Sequence, residues 1–161
     1  MNEPKYIKEA RSFIGLQEIK GKKHSPTILG WLSNLNAWWS DDETPWCGVF
    51  VAHCLNKYNY KIPKLYMRAK AWLDWGVEIP EPKHGCLVIF NRSGGGHVGF
   101  VVGKDYTGRL LVLGGNQGNK VSIAPFDTDR VVGYRMPEGF LLPMVNLEVI
   151  SSNQITSMNE A

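Results

Sequence analysis

The most informative stretch of the sequence is DDETPWCGVFVAHCL, from Asp41 to Leu55, because its composition changes from polar to apolar at one cysteine. Residues 40–45 are typical of a turn, and the apolar run that follows predicts a helix from about Trp46 to Tyr58. Cys47 would then lie in the first turn of this helix, where unpaired backbone N–H groups and the positive end of the helix dipole favour a thiolate. The pattern predicts a reactive cysteine, with a small buried core residue as the alternative.

The composition of the chain limits its class of function. With 161 residues, of which 43% are hydrophobic, the chain is long enough for one domain with its own core. A net charge of +3 is too small to predict a nucleic-acid partner. The three cysteines and four histidines lack the CxxC or HExxH spacing of metal sites, so we expect neither a metal nor another cofactor. The N-terminus has no signal-peptide pattern and the chain no long apolar segment, so we expect synthesis in the cytoplasm and no stable membrane association.

The residues around this cysteine helix predict further helices. Apolar residues recur at intervals of three and four from Glu3 to Leu16, which is typical of an amphipathic helix that ends at Gly15. Ser25 and Pro26 have the residue types of an N-cap and a first helical position, so we expect a short second helix after them. The run RAKAWLDW, residues 68–75, predicts another short helix.

The second half of the chain has the pattern of an antiparallel sheet. Short β-rich runs alternate with glycine and asparagine turns. There are about five of these runs, at residues 86–90, 97–103, 109–115, 120–126 and 130–137. Helices followed by such a meander predict an α+β fold rather than repeated βαβ units. We expect one domain over residues 1–143 and a polar, partly disordered tail over residues 144–161.

A cysteine nucleophile needs a general base, and His97 is the best candidate. His53 follows Cys47 by six residues on the same helix, which places it about 240° around the axis and on another face. His24 and His84 lie in predicted loops, where a solvated histidine is the simpler interpretation. His97 follows the glycine turn SGGG and opens a predicted strand, where a side chain at the sheet edge can face the start of a packed helix. A structural histidine at the end of that turn is the alternative.

A catalytic histidine is usually oriented by a third group. The turn LGGNQGN after the next strand contains Asn116, one hairpin away from His97 in an antiparallel meander. A neutral amide would then replace the more common carboxylate, as in Cys-His-Asn enzymes. The neighbouring Gln117 is the alternative third residue, and a plain turn asparagine is the other interpretation of Asn116.

Several separated motifs occur together in this chain. They are PWCGVFVAHCL, RAKAWLDWG, GCLVIFNRSGGGHVGFVVG, VLGGNQGNKVSI and VVGYRMP. In this order they resemble the papain-like peptidoglycan hydrolases of the CHAP and NlpC kind, and in particular the small single-domain branch of phages and proteobacteria. The similarity extends from about Phe13 to Pro137. Lys70 departs from the pattern, because a small residue is expected there, and this affects the shape of the nearby groove.

The resemblance implies that Cys47 is the nucleophile, His97 the base and Asn116 the orienting residue. It implies a papain-like catalytic domain in which the cysteine helix packs on the sheet that carries the other two residues. It also implies cleavage of an amide bond in cell-wall peptides, by an endopeptidase or an N-acetylmuramoyl-L-alanine amidase. The oxyanion would be held by backbone N–H groups at the helix start, including that of Cys47.

Several further residues are candidates for binding substrate. Glu18 could bind an amine of the peptide, with a solvated loop carboxylate as the alternative. Trp46 could form an apolar wall for a sugar or peptide, as could Trp38 and Trp39, with core packing as the alternative. Gln117, beside the predicted orienting residue, completes the set.

We therefore expect a monomeric cysteine hydrolase that acts on peptidoglycan at the bacterial cell wall. A phage endolysin released through a membrane lesion agrees with this expectation, and so does an amidase toxin injected by a secretion machine. A transferase or isopeptidase that uses the same residues on another amide, and a non-catalytic wall-binding module, are the alternatives. Cys54 and Cys86 are expected to be core residues.

Overall fold

A computed structural model of the protein describes residues 3–17, 25–35, 46–92 and 95–151. The helices in this part of the chain are α1 (Lys5–Ser12), α2 (Pro26–Asn34), α3 (Cys47–Asn56) and two 3-10 helices, Ala69–Asp74 and Thr128–Arg130. The strands are β1 (Val77–Ile79), β2 (Leu87–Arg92), β3 (Gly95–Lys104), β4 (Leu110–Gly114), β5 (Ser122–Phe126) and β6 (Val131–Met136). The three α-helices precede all the strands, which confirms the predicted α+β class.

The helix starts follow from the residues that precede them. In α2 the side chain of Ser25 accepts a hydrogen bond from the N–H of Ile28, and Pro26 is the first helical residue, as predicted. In α3 the first helical residue is Cys47 itself. The cysteine therefore lies in the first turn, where the sequence places it.

The six strands form one antiparallel sheet in the order β1-β6-β2-β3-β4-β5. Strands β2 to β5 follow one another as the predicted meander, but β6 returns to pair with β2, and β1 pairs with the outer edge of β6. The predicted number of about five strands is therefore one too low. The missed strand has only three residues, which is too short to show an alternating pattern.

Hydrophobic residues fill both faces of the sheet. On one face α1, α2 and α3 pack on Val98, Phe100 and Val102 of β3, whereas Val101 of the same strand belongs to a cluster on the other face. Cys54 lies in the first cluster and Cys86 in the second, and both are fully buried, as expected. This packing places the start of α3 against the strand that begins near His97.

The segment before residue 152 runs along the sheet. The N–H of Lys104 donates to the carbonyl of Glu148 at 3.0 Å, and the N–H of Ile150 donates to the carbonyl of Lys104 at 2.8 Å. The boundary at residue 143 and the partial disorder of the tail remain predictions, and residues 152–161 lie outside the described part. Within the described ranges, no helix is long and apolar enough to cross a membrane.

Candidate active site

The thiol of Cys47 lies between the first turn of α3 and strand β3. Backbone N–H groups of Val98, Gly48 and Cys47 itself lie near the sulfur and favour its anionic form. Burial raises the pKa of this thiol, and it outweighs the opposing effect of these N–H groups and of the Arg92 charge. The predicted thiolate is therefore wrong for the substrate-free protein, because the sulfur is removed from water.

The ring of His97 is held by Gln117. Nε2 of His97 lies 2.9 Å from Oε1 of Gln117. The side-chain amide nitrogen of Gln117 donates to the carbonyl oxygens of Val112 at 3.1 Å and Ser122 at 2.9 Å. Since a carbonyl can only accept, the NH2 group of Gln117 must face these two oxygens and its Oε1 must accept from His97.

This network fixes the tautomer of His97. Its proton is on Nε2, and Nδ1 keeps a free lone pair. Nδ1 has no hydrogen-bond partner among the described residues. The thiol of Cys47 lies near the N–H of Val98, the next residue in β3. Nδ1 of His97 and the sulfur of Cys47 thus lie beside adjacent residues of β3, and no hydrogen bond joins the two atoms.

Aromatic packing keeps His97 neutral. The ring stacks on Phe126, with centroids 5.5 Å apart, and on Phe90, with centroids 6.2 Å apart. Burial lowers the pKa of His97 to about 4, and the charge of Arg92 adds to the lowering, although the hydrogen bond that His97 donates to Gln117 opposes this shift. At neutral pH the imidazole is uncharged and able to accept a proton.

Asn116 is not the residue that contacts His97. It lies in the turn after β4 with a φ of +58°, and its neighbour Gln117 accepts the hydrogen bond from His97. The predicted orienting contact is corrected accordingly. The predicted substrate-binding role of Gln117 is also corrected, because its side chain is 8% exposed and its polar atoms contact other protein groups.

Trp46 does not form a substrate wall in this structure. It is 1% exposed and packs near Trp31 and Phe50 in the core on the helical side of the sheet. Trp46 is therefore a core residue, which was the alternative interpretation of the sequence. Glu18, Trp38 and Trp39 lie outside the described residues.

Sequence reasoning missed one charged residue of the site. Arg92 ends β2 and pairs with Gly95, two residues before His97. Its charge lowers the pKa of both Cys47 and His97. Its position next to the same glycine turn as His97 was the only signal in the sequence.

The described residues contain no group of three or more His, Cys, Asp or Glu side chains that could hold a metal ion. The site offers a thiol, a neutral imidazole and backbone N–H donors at a helix start. Such a set can attack a carbonyl carbon, accept the thiol proton and stabilise an oxyanion. This is the chemistry of acyl transfer.

Comparison with known proteins agrees with this chemistry. No curated protein is significantly similar to the chain. The sequence model of the CHAP domain matches residues 39–116, a range that includes Cys47 and His97 and ends one residue before Gln117. A CHAP domain implies a hydrolase that acts on peptidoglycan. Residues 39–116 of the chain are therefore similar to the CHAP domain.

Proposed function

We propose that the protein hydrolyses an amide bond in the peptides of peptidoglycan, with Cys47 as nucleophile, His97 as base and acid, and Gln117 as orienting residue. The hydrogen bond from His97 to Gln117 carries this proposal, because it leaves Nδ1 as the basic atom of the ring. The thiol lies at the next residue of the same strand, Val98. The CHAP match supports peptidoglycan as the substrate.

The reaction begins when Sγ of Cys47 attacks the carbonyl carbon of the amide while the thiol proton moves to Nδ1 of His97. Backbone N–H groups of Cys47 and Gly48 hold the oxyanion, because the first N–H groups of a helix have no intrahelical partner. The C–N bond then breaks, and Nδ1 gives its proton to the leaving amine. Water attacks the resulting thioester with Nδ1 as base, which releases the acid and restores the thiol.

The protonation states impose an order on these steps. The substrate-free site has a thiol whose pKa is raised by burial and an imidazole whose pKa is lowered to about 4. A stable thiolate–imidazolium pair is therefore not the starting state. We propose that the proton moves as the sulfur attacks, when negative charge passes from sulfur to an oxyanion that the N–H groups stabilise.

The bond and the nucleophile can be tested together by mass spectrometry of purified peptidoglycan. The proteins are the wild type, Cys47→Ala and the matched control Cys54→Ala, which alters another buried cysteine of α3. We expect soluble fragments from the wild type and from Cys54→Ala, and none from Cys47→Ala. Stem peptides freed whole from the sugar would define an amidase, and split stems or cross-links an endopeptidase.

The opposite result would change the assignment. If folded wild-type protein in reducing buffer releases no fragments, a wall-binding module or an enzyme for another amide replaces the hydrolase. If Cys47→Ala remains active, the nucleophile is elsewhere.

The resemblance to small phage and proteobacterial hydrolases supports a phage endolysin as the cellular role, with an injected amidase toxin as the alternative. Both roles require the enzyme to act at the cell wall. A neutralising protein encoded beside this chain, and shown to inhibit it, would contradict the endolysin role and favour the toxin.

A further inference from the structure

The segment that follows β6 exposes a run of apolar side chains. Residues 141–145, LLPMV, are all exposed, and Leu141 is 94% exposed. The backbone of this run is tied to the rest of the protein, because the carbonyl of Val145 accepts a hydrogen bond from the N–H of His84 at 2.8 Å. Single exposed apolar residues are common on protein surfaces, but a contiguous group of them usually marks a binding surface.

Basic and tyrosine side chains border the most exposed of these residues. Leu141 and Leu142 line one groove together with Lys5, Lys57 and Tyr58. The ammonium of Lys57 lies 6.0 Å from the centre of the Tyr58 ring. No carboxylate lines this groove among the residues that the structure describes. These five residues form the lysine–leucine surface.

The charge of the lysine–leucine surface distinguishes between possible partners. Lys57 is paired with Glu9 at 2.9 Å, but Lys5 belongs to none of the ion pairs in the described ranges. If two copies of the chain paired through this surface, their lysines would face each other with no carboxylate in the groove between them, which disfavours a dimer. A partner with negative charge at its surface and an apolar interior avoids this repulsion. An anionic lipid bilayer has both properties.

The types of side chain also match the layers of a bilayer. Leucines enter the acyl region, tyrosine rings lie at the level of the head groups, and lysines remain at the charged surface. A fluid acyl layer needs no pocket of matching shape. This suits Leu141, which protrudes almost completely from the protein.

We propose that the lysine–leucine surface binds an anionic membrane surface. Binding is weak and reversible, because few apolar side chains take part, so it agrees with the expected lack of stable membrane association. Lys57 follows the C-terminal end of α3, whereas Cys47 begins this ten-residue helix. The thiol is therefore about 15 Å along the helix from the membrane contact and at the end away from the lipid. This inference goes beyond the proposed function and does not depend on it.

The test is sedimentation with lipid vesicles, made either of phosphatidylcholine alone or of phosphatidylglycerol and phosphatidylcholine in equal parts. The proteins are the wild type, Leu141→Ser and Lys5→Gln, with Tyr106→Ser and Lys120→Gln as matched controls. Tyr106 is 81% exposed in the turn between β3 and β4, and Lys120 is exposed shortly before β5; neither lines the groove. A thermal melt of each variant checks that it is folded.

We expect the wild type and both controls to sediment with the phosphatidylglycerol vesicles and much less with phosphatidylcholine alone. Leu141→Ser should lower the partition coefficient by roughly tenfold, because a leucine side chain no longer leaves water. Lys5→Gln should lower it by about fivefold, the effect of one lysine near an anionic membrane.

The proposal is wrong if the wild type sediments with neither kind of vesicle or equally with both, or if folded Leu141→Ser and Lys5→Gln sediment as the wild type does. A wild type that is a dimer without lipid by analytical ultracentrifugation, and a monomer after Leu141→Ser, would assign the surface to a second copy of the chain instead. The vesicles contain no peptidoglycan, so these results and those of the peptidoglycan digests can fail independently.

Discussion

At the residue scale, Gln117 determines how His97 can act. Its amide is tied to the carbonyl groups of Val112 and Ser122 on one side and to His97 on the other. A neutral orienting group fixes the tautomer but adds no negative charge. Burial, with a smaller contribution from the charge of Arg92, therefore lowers the pKa of the imidazole to about 4 against the weaker effect of this hydrogen bond. At neutral pH the imidazole is therefore uncharged, with its proton on Nε2 and its Nδ1 free to accept another.

Removal of this amide should reduce activity. We expect Gln117→Ala to lower kcat by about tenfold to a hundredfold, because partners that orient a functional histidine typically contribute that much. Asn116→Gly is the matched control, since glycine accepts the positive φ of residue 116 while the carboxamide is lost. We expect Asn116→Gly to keep its activity. The measurement is kcat on soluble wall peptides, together with a thermal melt of each variant.

The reverse pattern would assign the orienting role to Asn116. Loss of activity in Asn116→Gly, with normal kcat in Gln117→Ala and unchanged melting of both, would mean that the hydrogen bond to Gln117 is not used in the reaction.

The limits of sequence-based prediction are clear at these two positions. The residue types around Cys47 and His97 predict a helix start and a strand start, and the structure has both. Asn116 and Gln117 are neighbours in one turn, and nothing in the sequence indicates which of the two side chains contacts His97. The raised pKa of the thiol could not be predicted from the sequence either, because burial depends on the residues that pack around Cys47 and not on its position in the helix.

At the scale of elements, Gly48 sets how closely α3 approaches the rest of the molecule. A Cβ at this position would overlap the backbone carbonyl of Tyr66, which also accepts a hydrogen bond from Nε1 of Trp72 at 3.0 Å. The first turn of α3 is therefore in direct contact with a backbone segment that has little freedom to move. Because Cys47 belongs to the same turn, this contact also helps to place the thiol.

Gly48→Ala should destabilise the protein, although alanine is the better helix former. We expect a loss of about 1–3 kcal/mol in the free energy of unfolding, as for other additions to a packed core. Gly30→Ala in α2 is the control, because a Cβ there meets no atom within 4 Å and the residue is exposed. This variant should gain about 0.5–1 kcal/mol from helix propensity. Denaturant unfolding of both variants measures the two effects.

A stability gain in both variants would mean that the backbone at Tyr66 can move aside to make room for the methyl group of alanine at residue 48. The approach of α3 would then not depend on Gly48, and the position of Cys47 would be fixed by the sheet alone.

Most elements were predictable from sequence, but their arrangement was less so. Periodicity and turn residues predicted α1, α2, α3 and the strands β2 to β6. The return of β6 to the side of β2 depends on long-range pairing, for which a single sequence gives no local signal. The three-residue strand β1 is a strand because β6 is beside it.

At the scale of the whole molecule, a partly buried ionic network joins the N-terminus to the sheet. Glu3 accepts hydrogen bonds from Nε and Nη2 of Arg11 at 2.8 and 2.9 Å, and its Oε2 lies 2.7 Å from Nε2 of His84, just before β2. The hydroxyl of Tyr6 donates to the carbonyl of Gly85 at 2.6 Å. These contacts span about 80 residues of sequence and hold α1 on the sheet.

The network should make stability depend on acid pH. Burial raises the pKa of Glu3, but its hydrogen bonds to His84 and Arg11 outweigh burial and lower the pKa to about 2, below the ordinary value of 4.5. The unfolded chain therefore takes up a proton on Glu3 before the folded chain does, so this contribution is complete above pH 4.5 and is lost as the pH falls toward 2.

We expect Glu3→Gln to reduce the free energy of unfolding by about 1–2 kcal/mol at neutral pH, after allowance for solvent screening, and to flatten its decline between pH 4.5 and 2. Other carboxylates with a lowered pKa, such as Asp105, contribute equally to both proteins and cancel in the difference. Denaturant unfolding across this pH range gives that difference directly, with Glu138→Gln, an exposed glutamate, as the control. If the curves of Glu3→Gln and the wild type stay parallel down to pH 2, the carboxylate of Glu3 does not stabilise the fold through its charge, and α1 is held on the sheet by Tyr6 and apolar packing alone.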